Sequence, residues 1–595
     1  MKNLWLTTKI LLGLYLFHVL WFGIKWRLSD MWSLYGLYTN LVSIILIFFY
    51  SEAINRGVKN NFFRALFGIS VIVLYFALAK YHYRVKASFD LAVVFDNLNE
   101  MFNKEALGVI ENTFKGKDFY HVGLSIPLLI GLQYFRNIFT KNVLINRKYA
   151  LSYVVGFFLL ISIGPFPYGE ISYAVKSAYE IAIGGFPKTE NYSKLNPLTL
   201  YSRRYSGSSK KRPHIFLVTL ESYSSLYIEK KNVHGKEITP TLNKLIPEGL
   251  YVDDFYGNSI QTIKGQFAIF CSRISMLKGK SSYLLDGKKL TCAPKIFEQL
   301  GYSTLFHKCF NSLDFDNTGN FVTDLGFDVV LTTNMNKLSP EEKNTKIWGW
   351  GVQDDISYLQ YVDNVLDLAA SSNKPIFSTV HTVSHHMKFR KVPLKQRFLF
   401  KQPNSKEEYF LNSLHLSDLY LNTFIEKLKD EGLYDSSIIV ITGDHSYPAG
   451  EHGYYDNQTS YYQEFFKTPL LIIWKDGLSP KRVTNKSYSH IDVLPTLLDI
   501  LDREIEVNLA GKSILKNEDS TAYLVQPYNG VYLGVVQYPY KYVWERRTDR
   551  EYLFNIKNDK NEKKPIENDK IIELMRKQRD YIIYNDEFLN LHFRL

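Results

Sequence analysis

The chain has 595 residues, a formal net charge of +12 and 46% hydrophobic residues. That length exceeds the size at which one core keeps growing, so more than one domain is expected. The excess of Lys and Arg comes without zinc-finger spacing, an RNP signature or a basic recognition helix, which excludes nucleic acid as a partner; an anionic membrane surface accounts for the charge more simply.

The long apolar runs lie before about residue 168, and five of them, roughly 4–24, 31–50, 62–79, 120–138 and 149–166, are long enough to cross a bilayer. The first has no small-residue cleavage site and leads straight into further spans, so it reads as a span rather than a signal peptide. The loops carrying Arg56, Lys59 and Arg64, and Arg136, Lys141, Arg147 and Lys148, fall on one side of alternating spans, which places them in the cytoplasm and everything after Phe166 outside. Lys25 and Arg27 on a short outer loop run mildly against this. The stretch at about 83–118 is too polar to cross, and its FDLAVVFDNLNEMF has helical spacing suited to the interface. Residues 169–213, ending in GSSKKRPH, read as a connector along the headgroups, so the expected domains are 1–168, the connector, and a globular domain at 214–595.

In the globular part IFLVTL (215–220), KPIFSTV (374–380) and SSIIVIT (436–442) are continuous apolar runs of the kind buried on both faces of a parallel sheet. They deliver Glu221, the HTVSHH segment with His385, and the Asp444/His445 pair to the carboxyl edge, where open α/β sheets bind ligands. Between them, NSIQTIKGQFAIFCS (258–272) reads as a helix N-terminus with the hydroxyl of Thr262 at its mouth. Taken alone, Thr262 reads first as a helix cap, since Ser and Thr commonly cap helices and few of them are nucleophiles. Together, Glu221, Thr262, Asp444 and His445 form a mixed oxygen and nitrogen shell for one divalent ion, Zn²⁺ or Mn²⁺, which would help to ionise Thr262. The positive helix end suits a phosphate, and Lys264 is either a nearby cation for it or a solvated helix residue. His381 and His386 read as packing or surface histidines. Cys271 ends this helix and Cys292 opens the next, so in an oxidising compartment a disulfide between them is expected to staple the polar loop they enclose, with Cys309 left as a buried thiol.

The ordered series LESYS, QTIKGQFAIFCS, GYSTLFH, FDN with GFD, WGWGVQDD, TVSHH, TGDH, KTPLLI and SHIDVLPTLLDIL resembles the alkaline phosphatase and sulfatase superfamily, in particular its membrane branch of lipoteichoic acid synthases and periplasmic phosphoglycerol and phosphoethanolamine transferases. The resemblance implies an alkaline-phosphatase-like α/β domain with a central, mostly parallel sheet behind the five-helix transmembrane domain. It implies Glu221, Thr262, Asp444 and His445 as metal shell, with Thr262 as nucleophile. It also implies that His385 contacts the transferred group or the acceptor, and that Trp348 and Asp354 line the headgroup pocket. His452 is spaced as in the lipoteichoic acid synthases, whereas the phosphoethanolamine transferases place a histidine where this chain has Asn457, which favours phosphoglycerol. Sulfatase activity is not expected, because Thr262 lacks the C/S-x-P-x-R context. The implied protein is a bacterial cytoplasmic-membrane transferase with its catalytic domain outside, taking a headgroup from phosphatidylglycerol or phosphatidylethanolamine to a glycan or glycolipid through a phosphothreonine. A phosphoethanolamine transferase acting on lipid A or a glycan, and a non-catalytic lipid-binding sensor, are the alternatives.

Overall fold

The computed structural model describes residues 202–595, apart from positions 210, 349–350, 517–519, 529–530 and 547–548, together with scattered positions between 50 and 178. The chain divides into two compact units, Met1–Lys188 and Thr189–Leu595. The five expected spans lie almost wholly outside the described residues; among the described residues no helix is long and apolar enough to cross a membrane. Of the expected interfacial segment, Leu91–Asp96 is described and is helical.

In the second unit the end of the stretch read as a connector is a strand: Ser202–Ser208 pairs antiparallel with Arg503–Asn508 and buries Tyr205. Its polar composition hides this, because one aromatic side chain on one face is enough to seat a two-stranded ribbon. The main sheet is built from β1 (Ile215–Leu220), β2 (Leu250–Tyr256), β3 (Ser303–Lys308), β4 (Val329–Thr332), β5 (Ile376–His381), β6 (Ile438–Gly443), β7 (Leu470–Ile473) and β8 (Lys481–Ser489), in the spatial order β8-β2-β7-β6-β1-β5-β3-β4. All run in one direction except β7, which is antiparallel to β6 and β2.

The helices used below are, in chain order, α1 (Thr262–Cys271), α2 (Ala293–Gln299), α3 (Thr318–Leu325), α4 (Asp354–Ser372), α5 (Lys406–Asp430), α6 (Val493–Leu501) and α7 (Asp569–His592). They sandwich the sheet, and the strands alternate accordingly. Ile215, Leu217, Ile438 and Val440 join one core with Phe267 and Phe270 of α1, Phe297 of α2, Phe321 of α3 and Leu497 of α6. Phe216, Val218, Leu220, Ile439 and Ile441 join the other with Tyr358 and Tyr361 of α4 and Phe424 of α5. Both faces are covered, which is why these strands are apolar without interruption. Beyond the main sheet a four-stranded antiparallel sheet, β9 (Ala522–Gln526), β10 (Tyr532–Gln537), β11 (Tyr540–Glu545) and β12 (Arg550–Asn555), packs against α7.

Two features of this frame matter for the site. The three central strands are in register, with Thr219 of β1 opposite both His381 of β5 and Thr442 of β6, so their carboxyl ends finish level. A disulfide joins Cys271 at the end of α1 to Cys292 at the start of α2, both fully buried, while Cys309 is a buried free thiol. Because the bridge closes a separation of 21 residues, replacing both cysteines by Ala should lower unfolding free energy by about 3 kcal/mol. Denaturant unfolding of wild type and double variant measures this, and an unchanged midpoint would show that the bridge constrains nothing.

Candidate active site

The level strand ends put two carboxylates side by side. Glu221 follows β1 and Asp444 follows β6, and both are buried. The backbone holds them there: the amide of Asp444 donates to Leu220 O at 3.0 Å, and that of Glu221 donates to Thr382 Oγ1 at 2.8 Å. Asp444 Oδ1 accepts the amides of Ser222 at 2.8 Å and His445 at 2.7 Å, and Glu221 Oε1 accepts the hydroxyl of Ser222 at 2.6 Å. Helix α1 then brings in Thr262. A Cβ on Gly265 would stand 1.9 Å from Asp444 O, so only glycine lets the first turn of α1 approach the end of β6 this closely. Gln261, in an extended conformation, is the N-cap, and Thr262 is the first residue inside the helix. Its hydroxyl donates to Glu221 Oε2 at 3.4 Å. The capping alternative for Thr262 is thereby replaced by a hydroxyl turned toward a buried carboxylate.

Two imidazoles complete the cluster. His445 Nδ1–H donates to Ser446 O at 2.9 Å, which leaves its Nε2, 3.6 Å from Asp444 Oδ2 and 3.8 Å from Glu221 Oε1, as a lone pair. Thr219 Oγ1 donates to Val380 O at 3.0 Å and therefore accepts from His381 Nδ1–H at 3.2 Å. The lone pair of His381 Nε2 then faces Glu221 Oε2 at 3.2 Å, and neither this nitrogen nor Asp444 Oδ2 has a hydrogen-bond partner. Ligand atoms of Glu221, His381 and Asp444 all lie within 4.8 Å of one another. Burial works to raise the Glu221 carboxyl, but His386, His381 and His445 outweigh it and hold the group well below the usual carboxylate range. Asp444 is pushed up by burial and by Glu221, and His445, against burial, is raised by Asp444 and Glu221. Inward-facing carboxylates and imidazole lone pairs repel one another unless a cation lies between them. Oxygen and imine nitrogen donors with hydrogen-bonded outer nitrogens fit a divalent ion such as Zn²⁺ or Mn²⁺.

His381 is the residue the sequence reading passed over. It ends β5 in register with Thr219, two residues before Glu221; the strand-end rule points to this segment, and His381, the last residue of the strand itself, is the member of it to choose. Other expected residues lie around the cluster. His385 is fully buried against Phe389 and Phe410, with ring centroids at 4.8 and 4.7 Å, bonds Ser413 through Nδ1, and is pushed down to about 3 by burial, so it is a neutral ring. The half-buried His386 has the stronger influence on Glu221. Asp354, at the start of α4, accepts the amides of Val383 and Ser384 and so clamps the segment that carries both histidines; burial raises its carboxyl to about 7. Trp348 lies on the short strand Ile347–Trp348, paired with Gly351. Lys264 is buried and donates to Met276 O at 3.0 Å; two residues after Thr262 on a helix it points about 200° away. It is neither the solvated residue nor the phosphate cation that the sequence suggests. His452 stacks on Tyr462 and meets Glu464 Oε1 at 2.7 Å and Asn561 O at 2.6 Å. Asn457 donates to Ile260 O at 2.7 Å, tying its loop to the segment that leads into Thr262.

Two substitutions test the cluster. Asp444→Asn should leave little bound Mn²⁺ or Zn²⁺ after dialysis, because it removes the charge of an unpartnered buried oxygen. Thr219→Val, which frees His381 Nδ1 and touches no ligand atom, should weaken metal affinity by roughly tenfold or more. Elemental analysis and calorimetric titration measure both, and full occupancy with wild-type affinity in either variant would overturn the assignment of that residue.

Comparison with known proteins gives this geometry a family. Residues 213–503 match the sulfatase family, and residues 450–580 match the C-terminal region of N-sulphoglucosamine sulphohydrolase. Lipoteichoic acid synthase 2 of Bacillus subtilis is 28% identical over 348 residues, covering 56% of this chain and 51% of its own. Lipoteichoic acid synthase of Staphylococcus saprophyticus is 24% identical over 532 residues, covering 80% and 78%. The chain thus spans about half the length of the Bacillus subtilis relatives it matches. Among solved structures, the lipoteichoic acid synthase LtaP of Listeria monocytogenes superposes with a TM-score of 0.54 at 19% identity, over 65% of this chain and 96% of that one. An alkaline phosphatase superfamily protein from Vibrio parahaemolyticus gives 0.54 at 20%, over 69% and 94%. With the level strand ends, the helix-borne threonine and the buried Glu/Asp/His cluster already in place, residues 213–503 form a domain of the sulfatase/alkaline phosphatase superfamily, and the chain is similar to lipoteichoic acid synthases.

Proposed function

We propose that this protein is a metal-dependent transferase that moves a phosphoglycerol headgroup from a membrane phospholipid to a hydroxyl of an extracytoplasmic glycan or glycolipid, in two steps at Thr262. The observation that carries the reading is the Thr262 hydroxyl at the first turn of α1, 3.4 Å from a buried carboxylate in a donor set suited to one divalent ion. Such an ion, when bound, supplies positive charge that lowers the proton affinity of the hydroxyl and offsets charge on the phosphoryl oxygens. The amino end of α1 adds its own positive end to the same place.

In the first step Thr262 Oγ1 forms a bond to phosphorus and the bond to the lipid glycerol oxygen breaks. The proton that Thr262 gives up is balanced by one taken up on the departing oxygen, which leaves as the alcohol of diacylglycerol. In the second step the acceptor hydroxyl attacks the same phosphorus, the phosphothreonine bond breaks, and the acceptor's proton returns to Thr262. Asp354 holds the Val383–Ser384 segment in place, and with it the adjoining His385 and His386. The preference for phosphoglycerol over phosphoethanolamine rests on position 457, where an Asn is used as a backbone tie. The proposed setting is a bacterial cytoplasmic membrane, with the second unit outside and the apolar segments before residue 168 as its five spans.

Incubation of wild type with phosphatidylglycerol and no acceptor should leave glycerol phosphate on the peptide that contains Thr262, read by mass spectrometry. Thr262→Asn should form no such adduct and should lose transfer by several orders of magnitude while remaining folded. Turnover near the wild-type rate in that variant would defeat the proposed nucleophile, and an ethanolamine phosphate adduct from phosphatidylethanolamine in its place would change the donor.

A further inference from the structure

Immediately after His386 the chain enters a stretch of unusual charge: from Met387 to Lys406 it has seven Lys or Arg and no Asp or Glu. Arg390, Lys391, Lys395 and Lys401 in this loop are exposed, as are Lys230, Lys231 and Lys236 of a neighbouring hairpin at 229–237. The two segments form one surface. Lys236 Nζ donates to Phe398 O at 2.6 Å, Asn232 Nδ2 donates to Leu399 O at 3.2 Å, and the rings of His234 and Phe400 lie 5.6 Å apart. Asn412 of α5 fixes the loop from beneath by accepting the amides of Leu399 and Phe400. Of the hairpin's two carboxylates, both at its base, Glu229 is paired with Arg482 and Glu237 accepts from Asn243 Nδ2 at 3.4 Å.

Amid these cations three apolar side chains point into solvent: Val233 is 85% exposed, Leu394 64% and Phe398 40%. A single exposed apolar residue is ordinary, but three on tied-down loops ringed by lysines and arginines are not. The combination is what an interfacial surface needs, with apolar tips to enter the acyl boundary and cations to meet anionic headgroups. A soluble polyanion would use the cations and leave Val233, Leu394 and Phe398 without a role. A cavity of about 390 Å³ opens between the hairpin and α5, with Val233, Phe400, Lys230 and Lys231 among its walls together with Glu407 and Glu408, so the surface is recessed as well as charged. We propose that the surface made by residues 387–406 and 229–237 rests on an anionic lipid bilayer, with Val233, Leu394 and Phe398 inserted at the headgroup level. The loop that does this is the direct continuation of His385 and His386, and Phe389 packs on His385, so seating it on lipid brings the mouth of the site to the headgroups. This goes beyond the transfer reaction and is tested without turnover.

Cys309 is buried and Cys271 and Cys292 are bonded, so a thiol-reactive bimane reports on an introduced surface cysteine. Full-length Val233→Cys and Leu394→Cys proteins, labelled and placed in vesicles of phosphatidylglycerol with doxyl-labelled lipid, should be quenched at least twofold more than a Lys577→Cys reference on α7. The excess should fall in phosphatidylcholine vesicles, at high salt, and when Lys391→Glu and Lys395→Glu are added. Quenching equal to that at position 577 would overturn the proposal, as would quenching indifferent to lipid charge. So would a label that responds to soluble polyphosphate but not to doxyl lipid, which would assign the surface to a soluble polyanion.

Discussion

Two carboxylates buried next to each other are expensive, and the architecture of the second unit is arranged around Glu221 and Asp444. Their positions follow from in-register parallel strands, which end level and deliver their next residues to one place. The cost is met only in part: backbone amides bond Asp444 Oδ1 and the Ser222 hydroxyl bonds Glu221 Oε1. Two imidazoles turn Nε2 lone pairs toward the same place, because their Nδ1–H groups are committed elsewhere, and so add donors rather than relief. What remains uncompensated, Asp444 Oδ2 and His381 Nε2, is the demand for a cation. A place for a divalent ion is thus a consequence of how the strands end.

The helix that carries Thr262 depends on this edge in turn. Gly265 lets α1 touch the backbone of Asp444, and the apolar side of α1, with Phe267 and Phe270, sinks into the core. Its far end is bonded to α2 through Cys271 and Cys292. Thr262 is thereby held at both ends of its helix, by close approach at the amino end and by a covalent tie at the carboxyl end. Such rigidity would suit the role proposed for Thr262, in which a phosphoryl group is taken up and released without the site relaxing around it.

Much of this is legible in the chain. Uninterrupted apolar runs ending in ionisable residues announce buried parallel strands and the edge where chemistry gathers, so Glu221, Asp444 and His445 stand out, and the cysteines fall at helix ends. The failures have a common cause. His381, the last residue of its strand, looks like packing because nothing in HTVSHH distinguishes a ring facing a carboxylate from one facing a core. The enclosure of His385 is not legible either, because Phe389 and Phe410, which pack on it, come from later in the chain. Lys264 looks like a phosphate ligand until the turn of the helix is followed round to Met276.

The sequence by itself determined the kinds of element, their order and the types of group at their ends, because hydrophobic period and strand length are local properties. It also determined the charge of the 387–406 loop and its lack of carboxylates. Only the tertiary structure decided which of the histidines meets Glu221, which nitrogen each ring turns inward, and that Val233 and Phe398 share one surface although they lie far apart in the chain. Those outcomes depend on strand register, helix rotation and loop contacts between distant segments, and a difference of one residue in register or 100° in rotation would reverse them.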